Sequence, residues 1–309
     1  MTVMNTEVLR NYIERANEKG LFNWLPDKYC LHLLYWSRLG ERLNLRSPQT
    51  FNEKLQWLKL YNRKPEYTKM VDKYGAKQYV AERIGGEYVI PTLGVWDRFE
   101  DIDFDALPDQ FVLKCTHDSG GLEVVRDKTK LDKDAVKAKI DRSLKKNYYF
   151  HGREWPYKDV LPRILAEVYM QDGDKINLPV YKFMNFSGEP RIIQVIQNDK
   201  TDAETIDYFD TDWNLLDLKQ NFPNSAKLLE RPRRLSEMLE ISRNLSKGIP
   251  NVRVDLYEID GRIYFSEFTF FSDSGFAPFY PPEWNEIMGS WIQLPMSEYD
   301  KSDNNNPRR

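Results

Sequence analysis

The sequence has only two cysteines, Cys30 and Cys115, which stand far apart. Two distant cysteines make no disulfide framework, so a reducing compartment is expected. No apolar run approaches the roughly 20 residues of a membrane-spanning helix. The N-terminal stretch MTVMNTEVLRNYIERANEKG carries too many charges for a signal peptide. A cytoplasmic location is the expectation. Charge of a single sign is also missing. The net charge is −3 with acidic and basic residues interspersed, so no face-wide positive field forms and nucleic acid is not an expected partner. There is no repeat of fixed period. There is no GxxxxGK[ST] segment either, which excludes a Walker-type phosphate loop.

At 309 residues the chain can form one large domain or two, with a well-buried core. The aromatic content is high at 14%, enough both to fill that core and to line grooves for planar or ring-shaped ligands. The first 60 or so residues read as helices. Thr50-Phe51-Asn52-Glu53 fits a capping box, after which Phe51, Leu55 and Leu58 recur at helical spacing. This part reads as a packing element. A helix is expected over Val71–Ile84, stopped by Gly85-Gly86, and another over Asp132–Lys146. Strands are expected at Tyr88–Leu93, Gln110–Thr116, Arg163–Met170, Val180–Phe186, Arg191–Gln197 and Thr205–Phe209. A last helix, Leu235–Ser246, precedes a strand pair at Val252–Glu258 and Arg262–Phe270. Hairpins mixed with helices, without regular β-α alternation, argue for an α+β fold with antiparallel sheets. The polar tail at 299–309 is expected to be disordered.

The segment NVRVDLYEIDGRIYFSEFTF is the most informative. Asp260-Gly261 marks a turn. Val252, Val254 and Leu256 share one face of the first strand; Tyr264, Phe268 and Phe270 share one face of the second. Pairing odd with odd positions joins these apolar sets into one buried face. It also gathers Arg253, Asp255, Glu267 and Thr269 on the other face. Directly opposed Cβ atoms lie about 5 Å apart, close enough for two carboxylates to share a hard cation such as Mg²⁺. A solvated face of an amphipathic hairpin carries the same pattern. FVLKCTHDSGGLEVV reads as strand, glycine turn, strand. Lys114 leaves the strand just before the turn at His117–Gly121, where backbone N–H groups can approach phosphate. A plain hairpin turn would also use Gly120-Gly121, and His117 reads as a turn residue rather than a catalyst.

The order of motifs resembles the ATP-grasp superfamily, most closely its TupA-like branch, from about Phe51 to Pro295. It is carried by Asp72-Lys73, IPTLGVW, VLK…HDSGG, REWPYKD, ILAEVYM, YKFMNFSGEPRIIQV and RVD…FSEFTF in that order. The resemblance implies a two-lobed ATP-grasp fold, with an N-terminal helical segment over residues 1–64, a first lobe over 65–165 and a second over 166–298. It implies Mg²⁺ and ATP as cofactors. Lys73 and Lys114 match phosphate-side lysines. Ser119, Gly120 and Gly121 match the mobile loop over the phosphates. Glu167, Val168, Tyr169 and Met170 match the adenine-holding hinge, and Asp172 the ribose contact. Lys182 resembles a further phosphate lysine, and Arg253 the arginine that stabilises the transferring phosphoryl group. Asp255 and Glu267 resemble the metal ligands; Thr269 stands where many members carry Asn. The usual nucleotide-like domain before the grasp is replaced by helices.

The branch is associated with bacterial surface polysaccharide synthesis. That implies a carboxylate–amine ligase working through an acyl phosphate, with release of ADP and phosphate. Its substrates would be small-molecule or glycan carboxylates and amines, such as an amino acid or peptide and a uronate-containing glycan precursor. Association with other polysaccharide-synthesis enzymes is also implied. Arg and aromatics in YYFHGREWPYKD suit an anionic sugar or carboxylate, so His151 and Arg153 are candidate substrate contacts, although a structured loop sealing the lobe carries the same residues; Arg191, outside that segment, is a further candidate. A glycosyltransferase is the alternative, because Asp210-Thr211-Asp212 has the Asp-x-Asp form, although a hairpin turn is the ordinary explanation of that tripeptide. A nucleotide-binding module without chemistry is a third reading.

Overall fold

The structure is a computed structural model that describes residues 6–173, 178–199 and 201–295. The tail at 299–309 therefore lies outside the described residues. The chain begins with α1 (Thr6–Glu18), α2 (Asp27–Leu39) and α3 (Phe51–Tyr61). The capping box is formed as its sequence demands. The Thr50 hydroxyl accepts from Glu53 N, and the Glu53 carboxylate accepts from Thr50 N. The helix expected over Val71–Ile84 is broken into α4 (Glu66–Val71) and α5 (Lys73–Ile84). Asp72 causes the break: its carboxylate caps α5 by accepting from Tyr74 N and Gly75 N. Lys73 is thereby fixed as the first residue of α5, and its own N–H donates to Thr116 O at 3.0 Å.

The first sheet contains β1 (Thr92–Trp96), β2 (Phe111–Cys115), β3 (Leu122–Val125) and β4 (Ile164–Val168), in the order β1-β4-β2-β3. Between β3 and β4 come α6 (Lys133–Leu144) and the single turn α7 (Tyr149–Gly152). Phe111, Leu113, Val136, Ile140 and Ile164 form the core of this half. The strand expected at Tyr88–Leu93 begins only at Thr92. Gly86–Tyr88 is a 3-10 turn, and Pro91, which has no N–H, stands just ahead of the ladder.

The second sheet contains β5 (Val180–Phe186), β6 (Glu189–Gln197) and β7 (Thr205–Phe209), then α8 (Leu235–Ser246), β8 (Asn251–Ile259) and β9 (Arg262–Thr269). Its order is β7-β6-β5-β8-β9, antiparallel throughout. A last helix, α9 (Glu283–Trp291), packs on α3. Phe183, Val252, Val254, Leu256 and Phe268 join α3, α5 and α8 in the larger core. The architecture is α+β. A third, small core joins α2 to Phe276 through Leu31, Leu34 and Tyr35. Among the described residues no helix is long and apolar enough to cross a membrane.

Candidate active site

The β8/β9 ladder pairs Arg253 with Thr269 and Asp255 with Glu267, bringing all four predicted polar residues to one face. Beyond that pair the register shifts, because Leu256 faces Phe265 and leaves Ser266 as an extra residue. The expected alternation is therefore wrong at Tyr264, which is only half-buried. Ile263 and Phe265 fill the core in its place. Ser266 lines the cleft instead.

A cleft of about 620 Å³ opens between the two sheets. Val112, Leu122, Val168, Met170 and Val180 give it an apolar compartment, while Lys73, Lys114, Lys182, Asp255 and Glu267 give it charge. Tyr169, Ser119 and Gly121 also line it. A second, polar compartment of about 350 Å³ adjoins it. Lys73, Asp118, Ser119 and Glu267 line both, so the two adjoin at these residues. Arg253, Thr269 and His151 line the second.

Charges here are mutually neutralised. Asp255 receives Arg253 Nε at 2.7 Å and Nη2 at 2.8 Å, and Lys182 Nζ lies 3.6 Å away. Glu267 lies 3.6 Å from Arg253 Nη2. Burial pushes the Glu267 carboxyl up, but the fields of Lys73, Arg253, Lys182 and Lys114 outweigh it and hold it at about 2. Glu167 grips two ammonium groups, Lys114 at 2.5 Å and Lys77 at 2.6 Å. Burial opposes the Lys114 charge, yet Glu167 holds its pKa above the ordinary lysine value. Lys73 is pushed down by burial, an effect that Glu267 and Asp118 partly offset. Its ammonium donates to Asp118 O.

The turn after β2 is built tightly. The Asp118 carboxylate accepts from Gly121 N at 3.1 Å and from the Ser143 hydroxyl. Gly121 has no room for a side chain, since a Cβ there would lie 2.4 Å from Cys115 Sγ. Gly120 and Ser119 are exposed on the same turn. His117 is buried, with Nε2 3.2 Å from Ser143 O, as befits a turn residue.

The oxygen donors Asp255, Glu267 and Thr269 are hard throughout and suit Mg²⁺ better than a softer ion. Among the described residues no three His, Cys, Asp or Glu side chains converge as a closed metal cage. Magnesium commonly takes one or two carboxylates and completes its shell with substrate phosphates and water.

The family model described as TupA-like ATPgrasp matches residues 53–293. The chain belongs to the TupA-like ATP-grasp family. Several solved structures are similar to this TupA-like ATP-grasp chain. D-alanine–D-alanine ligase from Bacillus anthracis complexed with ATP is 18% identical with a TM-score of 0.38, over 65% of this chain and 53% of that one. The chain thus spans little more than half the length of that ligase. D-alanine–D-alanine ligase from Helicobacter pylori is 15% identical with a TM-score of 0.43, over 78% of this chain and 69% of that one. A RimK domain ATP-grasp protein from Sphaerobacter thermophilus is 14% identical with a TM-score of 0.41, over 80% of this chain and 79% of that one. No curated protein matches the chain in sequence.

Three expected contacts of the TupA-like chain lie outside both compartments. Arg153 is buried away from either compartment, donating to Phe22 O at 2.5 Å and to the Tyr149 hydroxyl at 3.3 Å. It fastens the N-terminal helices to α7. Arg191 lies on β6 with its guanidinium 5.2 Å from the Trp291 ring centroid, and it lines neither compartment. Asp172 accepts from Asp260 N at 3.3 Å and lines a different hollow beside Tyr181 and Glu258. The Asp-x-Asp element is a turn: Asp210 Oδ1 accepts from Asp212 N and Asn214 N at 2.9 and 2.8 Å. Sequence reasoning missed Asp118, Tyr257 and Ser266 in the first compartment. In the second it missed Arg38, Tyr148, Glu154 and Asp273. Asp118, inside the HDSGG turn, and Tyr148 and Glu154, inside YYFHGREWPYKD, had a local signal.

Proposed function

We propose that the chain is an ATP-dependent carboxylate–amine ligase that forms an acyl phosphate and releases ADP and phosphate. On this reading it joins an amino acid or peptide to a uronate-containing precursor of a cell-surface glycan. The observation that carries the reading is a pair of adjoining compartments, one with apolar walls and one polar, that share Lys73 and Glu267. The apolar walls at Val112, Leu122, Val168 and Met170 suit a purine, and Lys73, Lys114 and Lys182 suit a triphosphate. Residues 65–165 and 166–298 would be the two lobes that enclose the nucleotide. The turn at His117–Gly121 would close during turnover and exclude water.

Asp255 and Glu267, with the Thr269 hydroxyl, would hold magnesium, which neutralises phosphate charge when bound. An oxygen of the substrate carboxylate attacks the γ-phosphorus of ATP, and the bond from that phosphorus to the ADP oxygen breaks. The amine nitrogen then attacks the acyl carbon as the carbon–oxygen bond to phosphate breaks, giving an amide, phosphate and a proton. Arg253 and Lys73 offset the negative charge that develops.

With hydroxylamine as surrogate amine, a panel of uronates, glycan-linked uronates and amino acids should yield a hydroxamate together with ADP. AMP in place of ADP would refute the mechanism. Sugar transfer from a sugar nucleotide without ATP consumption would favour a glycosyltransferase.

A further inference from the structure

Arg38, on α2, lines the polar compartment together with Arg253 and Glu267, although it lies outside the span that matches the family model. Its guanidinium sits 4.9 Å from the Phe276 ring centroid. That contact positions the guanidinium against the ring without using a protein acceptor. Among the described residues it has no side-chain hydrogen bond and no ion pair within reach. Glu14 and Glu18 of α1, Glu154 and Tyr148 act on it only through their fields, and burial lowers its pKa. The other cations of the cleft have partners: Arg253 is held by Asp255, and Lys73 by Asp118 O. An arginine with five donors and no protein anion suits a planar carboxylate, which it can bind through two parallel hydrogen bonds.

Resting on the ligase reading above, the geometry points to the polar compartment as the site of the amine substrate, and to a free carboxylate on that substrate held by Arg38. The substrate class is an amino acid, or a peptide presenting such a carboxylate near its amine. The amine would then lie toward Glu267 and Arg253, where the compartment meets the nucleotide cleft. Its nitrogen attacks the acyl carbon and the carbon–oxygen bond to phosphate breaks. Of the two protons that the ammonium loses, phosphate keeps one and solvent takes the other. The N-terminal helices would thus supply a substrate contact, beyond the packing role that their sequence suggests.

The test measures ADP release with a carboxylate that forms hydroxamate. Hydroxylamine, the standard amino acids and the matching amino-acid amides serve as amine probes. The wild type should favour at least one free amino acid over its amide by roughly 10–100-fold in kcat/KM, the worth of a hydrogen-bonded charge. Arg38→Met keeps an apolar stem on Phe276 and should abolish that preference, while Arg38→Lys should retain part of it. If hydroxylamine works but the wild type shows no preference for the free amino acid, the proposal is overturned and the ligase reading stands. The same holds if Arg38→Met keeps the preference. If no carboxylate gives hydroxamate, both fall.

Discussion

Lys73 stands in the first turn of α5, where the helix macrodipole disfavours a positive charge. Burial lowers its pKa further. A residue placed against both effects is not there for the stability of the helix. Its ammonium lies where the two compartments meet, which is where a terminal phosphate would sit. Lys73→Ala should therefore leave Tm unchanged or raise it by about 1–2 °C, since a helix-end charge is worth only about 0.3–1 kcal/mol. Affinity for a non-hydrolysable ATP analogue should fall by roughly 10-fold or more. Calorimetry and a binding titration on the same preparation decide the matter. A drop of several degrees with unchanged affinity would make Lys73 a structural residue. Lys114 differs in kind: its Glu167 partner also holds Lys77, so removing Lys114 leaves that carboxylate paired.

At the scale of the element, the extra Ser266 in β9 lets Glu267 face the cleft while Phe265 and Ile263 stay in the core. Deleting Ser266 would restore regular alternation, with Phe265 still inward. The core should therefore survive while the local twist that aims Glu267 and Tyr257 is lost. We expect cooperative melting with Tm within a few degrees of wild type, and at least about 10-fold less hydroxamate. Full activity after the deletion would show that the bulge does not aim the site. Hairpins of this kind were largely legible in the sequence. Val180–Phe186, Thr205–Phe209 and Leu235–Ser246 fall where periodicity places them, as does the pairing of Asp255 with Glu267. The bulge was not legible, because Tyr264 and Phe265 are both apolar enough to face inward and alternation alone chose the wrong one. The run Tyr88–Val89–Ile90 misled in a similar way. Ile90 is buried, but Val89 makes only an isolated bridge to Phe265.

Contacts between parts distant in sequence set the scale of the whole molecule, and no local pattern announces them. Arg38 and Arg153 look alike in sequence, yet one opens into the cleft and the other is sealed against Phe22. Lys59 shows the same principle in its most buried form. From α3 it donates to Gln56 Oε1 at 3.0 Å, Gly152 O at 2.7 Å and Ser274 O at 2.8 Å, so it ties the floor of the polar compartment together. Burial pushes its pKa down to about 7, despite the opposing field of Glu154. An unfolded lysine titrates near 10.4. Between about pH 7 and 10.4 the unfolded chain thus binds more protons at this position than the folded one. Stability contributed here rises with pH across that window, and it is level below about 7, where both states are protonated. Lys59→Met removes the titration along with the three hydrogen bonds, and should cost about 3–5 kcal/mol at pH 7 because the buried acceptors Gln56 Oε1, Gly152 O and Ser274 O lose their donor. The gap between wild type and variant should then widen as pH is raised from 7 to 9. Urea melts at pH 7, 8 and 9 measure it directly. A gap that stays constant or narrows would mean that Lys59 keeps an ordinary pKa in the folded protein, and that its charge is compensated more fully than its surroundings suggest.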